Sequence, residues 1–501
     1  MAVRLADLFG SLPQAKVQGD TDRPIEAITS DSRQVRPGSL FVAYSGVATD
    51  GHKYVGQALE RGATAIVAER PLDWLTAPLA IVPNGREALA YLSAAWYGHP
   101  AHQLIVVGIT GTDGKTTTSN LLHSILAAAG RQAGLVTTVN AIIGERVIDT
   151  GLHTTTPDAP DMQRYLAAMV DAGIEIAVLE ATSEGLAQHR VSACDFDLAV
   201  VTNITYDHLY FHRTLEDYQR AKAMLFHQLT AGQRKAGVPK VAVLNADDDS
   251  YRYLCRIPAD RRLSYSIEGD ADLVATGIRR SVVDTRFALR SPDVDFELQT
   301  ALLGDFNISN ILAAAAAALA LGVSPEATQE GIGGVKGIVG RMERIDEGQD
   351  FLAIVDFAHT PNSLKRALET VRGLTNGRVI AVFGSAGERD VAKRPGMGEI
   401  GGRLADIAVL TAEDPRTEPL EAILDQVARG AEAAGAVEGK SYFRVPDRAE
   451  AIQFAVDIAQ PGDLVIACGK GHEQSMCFGT IETPWSEREA VSAALRNRLA
   501  R

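Results

Sequence analysis

Apolar residues in this chain fall in short unbroken runs, and the stretches between those runs carry helical spacing. Leu104–Ile109, Ile174–Leu179, Leu198–Thr202 and Val241–Asn245 are the clearest runs in the middle of the chain. Runs of this length, bounded by turn residues, predict strands buried on both faces. Strands that alternate with helices predict βαβ units and a parallel sheet covered by helices on both sides. The rhythm breaks at Gly331–Gly340, GIGGVKGIVG, and restarts at Phe351–Asp356, Val379–Phe383, Ile407–Thr411 and Leu464–Cys468. Before it, residues 1–100 hold shorter strand-like runs such as Ser39–Ala43 and Ala65–Ala68, and His99-Pro100 reads as a linker. The expected architecture is α/β in three domains: 1–100, 101–338 and 339–501. A chain of 501 residues is too long for one core and fits that division.

Composition narrows the partners. Apolar residues make up 46% of the chain and charged residues 22%, which places it among ordinary soluble globular proteins. A formal charge of −14 argues against nucleic acid as the main partner, because a phosphate backbone demands a basic face. The four cysteines form no CxxC pair, so neither a zinc site nor a disulfide framework is indicated. The start, MAVRLADLFGSLPQ, lacks the apolar core of a signal peptide, and the alanine-rich stretch Asn310–Val323 is too short to span a bilayer. A cytoplasmic enzyme without membrane insertion is the expectation.

The candidate chemistry begins where the first central strand ends. GITGTDGKTTT (108–118) runs from an apolar strand through a glycine-rich turn into a helix start. Such a junction turns backbone N–H groups and the positive helix end toward a phosphate. Strict Walker A spacing wants glycine at Ile109; the loop is the shorter GTxGKT form, in which Gly111 and Gly114 make the turn. Gly111, Thr112, Asp113, Gly114, Lys115, Thr116 and Thr117 are therefore the expected ATP cradle. Lys115 would meet the terminal phosphates, and the Thr116 hydroxyl would hold Mg²⁺. Glu180 closes the strand at 174–179, and Asn203 with His208 follows the strand at 198–202. All lie at the same sheet edge, where oxygen and imidazole donors suit Mg²⁺ ions on ATP phosphates.

Further segments occur in one order: HTTTPD (153–158), LEATS (179–183), TNITYDHL (202–209), RAKAMLF (220–226), GDFNISNILAA (304–314), GRMERI (340–345), DFAHTP (356–361), EDPRTE (413–418) and GKGHEQ (469–474). With the phosphate loop, and with DSRQVRPGSLFVAYSG (31–46) and DGHKY (50–54), they resemble the Mur ligases over nearly the whole chain, most of all the tripeptide synthetases among them. The resemblance implies an N-terminal uridine-nucleotide domain, a central P-loop ATPase-like domain and a C-terminal Rossmann-like domain. It implies an ATP-dependent, ADP-forming ligase of peptidoglycan precursor synthesis. A carboxylate of UDP-N-acetylmuramoyl-L-alanyl-D-glutamate is phosphorylated by ATP, and the amine of a free diamino acid then displaces phosphate. The protein's share in such chemistry is positioning and charge neutralisation.

Carried over residue by residue, the resemblance assigns Lys115, Lys222, Glu180 and His208 to catalysis. Thr116, Glu180, His208 and Lys222, the last as an N6-carboxylysine carbamate, would hold two Mg²⁺ ions. Asn307 and Asn310 would lie near adenine, and Arg341 and Asp356 would reach the nucleotide from the last domain; His359 follows in the same loop. Ser32, Thr155, Thr156, Ser183 and Arg190 would meet the uridine-nucleotide substrate. Arg389, Glu413, Asp414, Pro415, Arg416, Gly469 and Glu473 would meet the amino acid. A monomer is the family default.

Three departures stand out. Glu184 takes the place of a histidine, Asp113 that of an asparagine, and EDPR that of DNPR, the segment typical of members that take meso-diaminopimelate. Arg416 suits a distal carboxylate, whereas the acid at 414 would suit the bare ammonium of L-lysine or L-ornithine. Meso-diaminopimelate is slightly favoured. A folylpolyglutamate synthetase-like ligase would lack the N-terminal domain and the EDPR and GKGHEQ segments. A non-catalytic ATP-binding regulator would be expected to lose charge at Lys115, Glu180, His208 and Lys222, and a P-loop motor would carry a strict Walker A.

Overall fold

The computed structural model describes residues 2–46, 49–148, 156–205, 209–281, 284–292 and 294–501. Among them, three main sheets follow one another along the chain. The first has five strands in the order Lys16–Gln18, Leu79–Ile81, Ala63–Ala68, Ser39–Val42, Ala27–Thr29, parallel except for the first pair. The second has eleven strands. Its parallel centre runs Ala133–Val136, Ile176–Glu180, Ile105–Thr110, Leu198–Val201, Val241–Asn245, Arg261–Ser266. The third has six strands, ordered Glu343–Ile345, Leu352–Asp356, Leu464–Cys468, Val379–Phe383, Ile407–Leu410, Tyr442–Arg444, with only the first pair antiparallel.

The strand Ile105–Thr110 is central because Val106, Val107 and Ile109 are fully buried and must be covered on both faces. Register then builds the site: Glu180 pairs with Ile109 on one side, and Val201 with Thr110 on the other. The phosphate loop, Glu180 and the segment after Val201 thus leave the sheet together at its carboxyl edge, where open α/β sheets bind ligands.

Two expectations need correction. The second sheet is not wholly parallel. Leu273–Arg280, Thr285–Ser291 and Val294–Thr300 extend it as an antiparallel meander, and Ala141–Ile143 with Arg146–Ile148 forms a hairpin at the opposite edge. In the meander Thr285, Phe287 and Leu289 are buried while Arg286 and Arg290 are exposed, the period of two that a one-sided sheet requires. The glycine-rich break is also partly ordered, since the helix Pro325–Gly334 runs through Gly331, Gly333 and Gly334. A Cβ on Gly331 would lie 2.4 Å from Ile125 Cα, so this glycine lets the helix press against Lys115–Ala128, the helix that follows the phosphate loop.

In the third sheet, a buried arginine joins two strand ends. Arg448 donates to both carboxylate oxygens of Glu487 (2.9 and 2.5 Å), to Ala412 O (2.9 Å) and to Cys468 O (2.7 Å). Ala412 and Cys468 immediately precede Glu413 and Gly469, so this guanidinium fixes where both segments begin. No helix among the described residues is long and apolar enough to cross a membrane. Arg448→Met leaves Glu487 buried without a counter-charge. A loss of about 3–5 kcal/mol in unfolding free energy is expected, measured by denaturant titration.

Candidate active site

The phosphate loop is held from both sides. Thr202 Oγ1 donates to Asp113 O (2.6 Å), Asn203 Nδ2 donates to the same carbonyl (3.1 Å), and Asp113 N donates to Asn203 Oδ1 (3.1 Å). Gly111 has φ +153° and Gly114 φ +84°. A Cβ on Gly111 would fall 1.8 Å from Thr202 Oγ1, and one on Gly114 would fall 2.1 Å from Asn310 Oδ1. Only glycine permits both the turn and these approaches. Lys115 Nζ curls over the loop, donating to Gly111 O (3.1 Å) and Thr112 O (2.9 Å). Thr117 is buried and lines the cleft behind it.

Below the loop, Thr116 Oγ1 donates to Glu180 Oε2 (3.0 Å). Thr138, which carries no sequence signal, donates through its N–H to Glu180 Oε2 (3.2 Å) and through its hydroxyl to Oε1 (3.1 Å). These hydrogen bonds hold a buried carboxylate and a hydroxyl together, an oxygen donor set of the kind Mg²⁺ prefers. Among the described residues no three His, Cys, Asp or Glu side chains converge as a metal cage. His208 and Thr155 lie outside the described residues. Lys222 is buried under the loop, donates to Gly111 O (2.6 Å) and stands 4.4 Å over the Tyr218 ring.

Opposite the loop stand residues of the third sheet, across a cleft of about 640 Å³. Asp356 accepts from Met342 N (2.7 Å) and Ala358 N (2.8 Å). Burial raises its carboxyl above the ordinary value, against the pull of the Arg341 guanidinium. Arg341 stacks on Phe357 at 4.5 Å, with His359 and His472 against the same ring at 4.6 and 4.7 Å. Lys393 Nζ donates to His359 O (2.7 Å). Asn310 lines the cleft and donates to Asn307 Oδ1 (3.1 Å). Asn307 itself bonds Leu303 O (2.7 Å) and supports Asn310 from behind.

The amino-acid segment is backbone-strained. Asp414 and Arg416 both have positive φ, +43° and +53°. Hydrogen bonds over-determine that shape: Gly387 N to Asp414 O (2.9 Å), Arg416 N to Cys477 O (3.1 Å) and Cys477 N to Asp414 Oδ1 (3.0 Å). Asp414 also accepts from the buried Lys470 ammonium at 2.8 Å, and Lys470 pairs with Glu473 at 2.5 Å. Burial alone would lower the Lys470 pKa, but Glu473 and Asp414 outweigh it and raise it. Oδ1 of Asp414 is thus already engaged by an ammonium and a backbone N–H of this chain. Arg416 lines the cleft, and its buried Nε has no hydrogen-bond partner. Glu413 is buried with Oε2 unpartnered, and burial raises its carboxyl despite Lys393 and Arg448 nearby. Arg389, Gly469 and Glu473 line the same end, while the Pro415 backbone closes against Gly387.

At the acceptor side, Thr156 Oγ1 donates to Glu180 O (3.1 Å), and Arg190 donates to Thr156 O (2.8 Å) while pairing with Asp158 at 3.1 Å. Ser183 and Glu184 open the short helix Ser183–Ala187, and both line the cleft. Ser32 is not brought in. It sits in the first sheet's region, donates to Gln57 Oε1 (2.8 Å) and is absent from the cleft wall.

Two outcomes follow. Gly114→Ala should lower kcat/KM for ATP at least about hundredfold in a phosphate-release assay, with a nearly unchanged melting temperature, because the clash is confined to the loop. His472 is held neutral down to about pH 3 by burial and then by Arg341 and Lys470. The unfolded chain takes that proton near pH 6.5, so protonation favours unfolding as pH falls through 6.5. Denaturant titrations between pH 7 and 4.5 should show a shallower loss of stability in His472→Gln than in the parent.

Comparisons with known proteins agree with this arrangement. Residues 24–97 match the model described as Mur ligase family, catalytic domain. Residues 109–318 match the Mur ligase middle domain, and 340–471 the Mur ligase, glutamate ligase domain. The UDP-N-acetylmuramyl-tripeptide synthetase of Roseiflexus sp. (strain RS-1) is 45% identical, covering 98% of this chain and 99% of that protein. The UDP-N-acetylmuramoyl-L-alanyl-D-glutamate–2,6-diaminopimelate ligase of Geobacillus thermodenitrificans (strain NG80-2) is 41% identical, covering 99% and 100%. A solved structure of a ligase of that same name superposes with a TM-score of 0.69 at 30% identity over the full length of both chains. With strand order, phosphate loop and facing C-terminal cleft already in place, this chain belongs to the Mur ligases, a family of ATP-dependent, ADP-forming ligases.

Proposed function

We propose that this chain joins meso-diaminopimelate to UDP-N-acetylmuramoyl-L-alanyl-D-glutamate, with ATP converted to ADP and phosphate. The three sheets are read as three domains at 1–100, 101–338 and 339–501, with the reaction at the meeting of the last two. One observation carries the choice of amino acid: Arg416 lines the cleft and its buried Nε has no hydrogen-bond partner, while Oδ1 of Asp414 beside it is engaged by Lys470 and Cys477 N. A guanidinium offers a carboxylate two parallel donors, and meso-diaminopimelate has a distal carboxylate that lysine and ornithine lack. The names of the relatives support the same reading.

In this reading the loop N–H groups and Lys115 neutralise the β- and γ-phosphates and hold them in line with the acceptor carboxylate. Thr116 and Glu180, with His208 and carbamylated Lys222, would hold two Mg²⁺ ions, which neutralise charge on the transferring phosphoryl group when bound. A carbamate on Lys222 keeps one N–H, enough to preserve the bond to Gly111 O. Thr155, Thr156, Ser183 and Arg190 orient the acceptor; Ser32 serves its uridine end. Asn310 and Arg341 flank the nucleoside, and Asp356 accepts from its ribose. Arg389, Arg416, Glu413 and Glu473 then place the amine for attack on the acyl phosphate.

The test is phosphate release from ATP, Mg²⁺ and the muramoyl dipeptide nucleotide with each of three amino acids. Turnover is expected with meso-diaminopimelate and not with L-lysine or L-ornithine. Arg416→Ala should raise KM for meso-diaminopimelate about hundredfold while moving KM for ATP less than about threefold. Turnover with lysine in the parent protein would overturn the assignment.

A further inference from the structure

The phosphate loop contains an acid, Asp113, where its ligand is anionic. Its backbone is pinned by Thr202 and Asn203, which fixes where its side chain starts. It lines the cleft and raises the Asp356 carboxyl across the gap, which shows how near its charge lies to the nucleotide face. Placed beside phosphates and unopposed, this carboxylate would weaken ATP binding. The group facing it is Arg366, with a guanidinium nitrogen 3.6 Å from Asp113 Oδ2.

Arg366 belongs to the helix Pro361–Arg372, whose start is fixed by Pro361 and by a reciprocal cap between Thr360 and Ser363. Residues 362, 366 and 370 fall on one face of that helix at a spacing of four. All three meet the middle region. Asn362 Nδ2 donates to Thr205 Oγ1 (3.4 Å), Arg366 faces Asp113, and Thr370 Cγ2 lies 3.0 Å from where a Cβ on Gly304 would stand. Phe306, from the start of the helix Asp305–Ala320, packs against the apolar core of the third sheet. Arg366 is therefore the charged member of an otherwise neutral contact stripe, set opposite the loop's one acid.

We infer that Arg366 is a positioning residue for ATP: it cancels the charge that Asp113 would otherwise set beside the phosphates at the loop. This rests on the reading of residues 111–117 as the ATP cradle. An isolated pair this exposed contributes little to stability, so its effect belongs to the ligand and not to folding.

The test compares the parent enzyme with Arg366→Ala, Arg366→Lys, Asp113→Asn and the Arg366→Ala/Asp113→Asn double variant. KM for ATP and kcat are measured separately at low and high salt. Arg366→Ala should raise KM for ATP about tenfold at low salt with a smaller change in kcat, and high salt should shrink the difference. Arg366→Lys should recover most of the loss. Asp113→Asn should lower KM for ATP about threefold by leaving the Arg366 charge unopposed, and the double variant, which carries neither charge, should return KM for ATP to near the parent value. A double variant as impaired as Arg366→Ala would overturn the proposal and make Arg366 a direct ATP contact. An Arg366→Ala enzyme indistinguishable from the parent would overturn it as well. Absence of ATP turnover in the parent would instead refute the cradle reading.

Discussion

The site depends on how closely three backbone segments approach one another at the edge of the central sheet. Gly111 and Gly114 carry no side chain, so Thr202 and Asn310 can close on the loop from opposite sides. Thr202 and Asn203 then bind the Asp113 carbonyl, and the loop becomes a rigid shell whose lysine and helix start face the same way. Rigidity matters because little covalent work is left to a protein that transfers a phosphoryl group; its contribution is charge held in place beforehand. The buried Glu180, fixed by Thr116 and both donors of Thr138, extends that shell downward.

The cleft is crowded with acids, and some of them are given a cation. Asp113 faces Arg366, and Asp414 and Glu473 share Lys470, while Glu180 is held by hydroxyl and amide donors instead. Glu413 is the one at the amino-acid end that is buried with an unpartnered oxygen among the described residues. Lys393 and Arg448 lie near it, yet burial still raises its carboxyl.

Much of this was legible in the sequence. The apolar runs named in the sequence fall within two residues of strands, since a strand buried on both faces leaves no polar residue to obscure it, whereas the shorter or more polar parallel strands Ala133–Val136, Arg261–Ser266 and Tyr442–Arg444 were not marked by such a run. The glycine–lysine–threonine turn located the loop, and Arg416 was readable from its motif. Other features were hidden for physical reasons. The meander at 273–300 alternates exposed and buried residues, a weaker signal than an unbroken run. The glycines at 331–334 read as a break, because close helix packing and a flexible linker ask for the same residue. Lys470 sits in a motif, yet its pairing with Asp414 spans 56 positions of sequence and was not readable from either segment alone. Thr138 and Arg366 have no local signature, because each matters only through a partner brought near by the fold.

Arg448 links the two halves of the argument. It is fully paired inside the third sheet, far in sequence from the phosphate loop, yet its bonds to Ala412 O and Cys468 O set the starting points of the 413–416 and 469–473 segments. Those segments carry Arg416 and Lys470, and in the first of them Asp414 and Arg416 hold positive φ. A single buried guanidinium thus orders the amino-acid end of the cleft much as two missing side chains order the phosphate end. One end is built by a charge sealed from water and the other by space left empty. The helix Pro361–Arg372 links the two ends, with Thr360 and Pro361 on the cleft wall and Arg366 facing Asp113 of the loop.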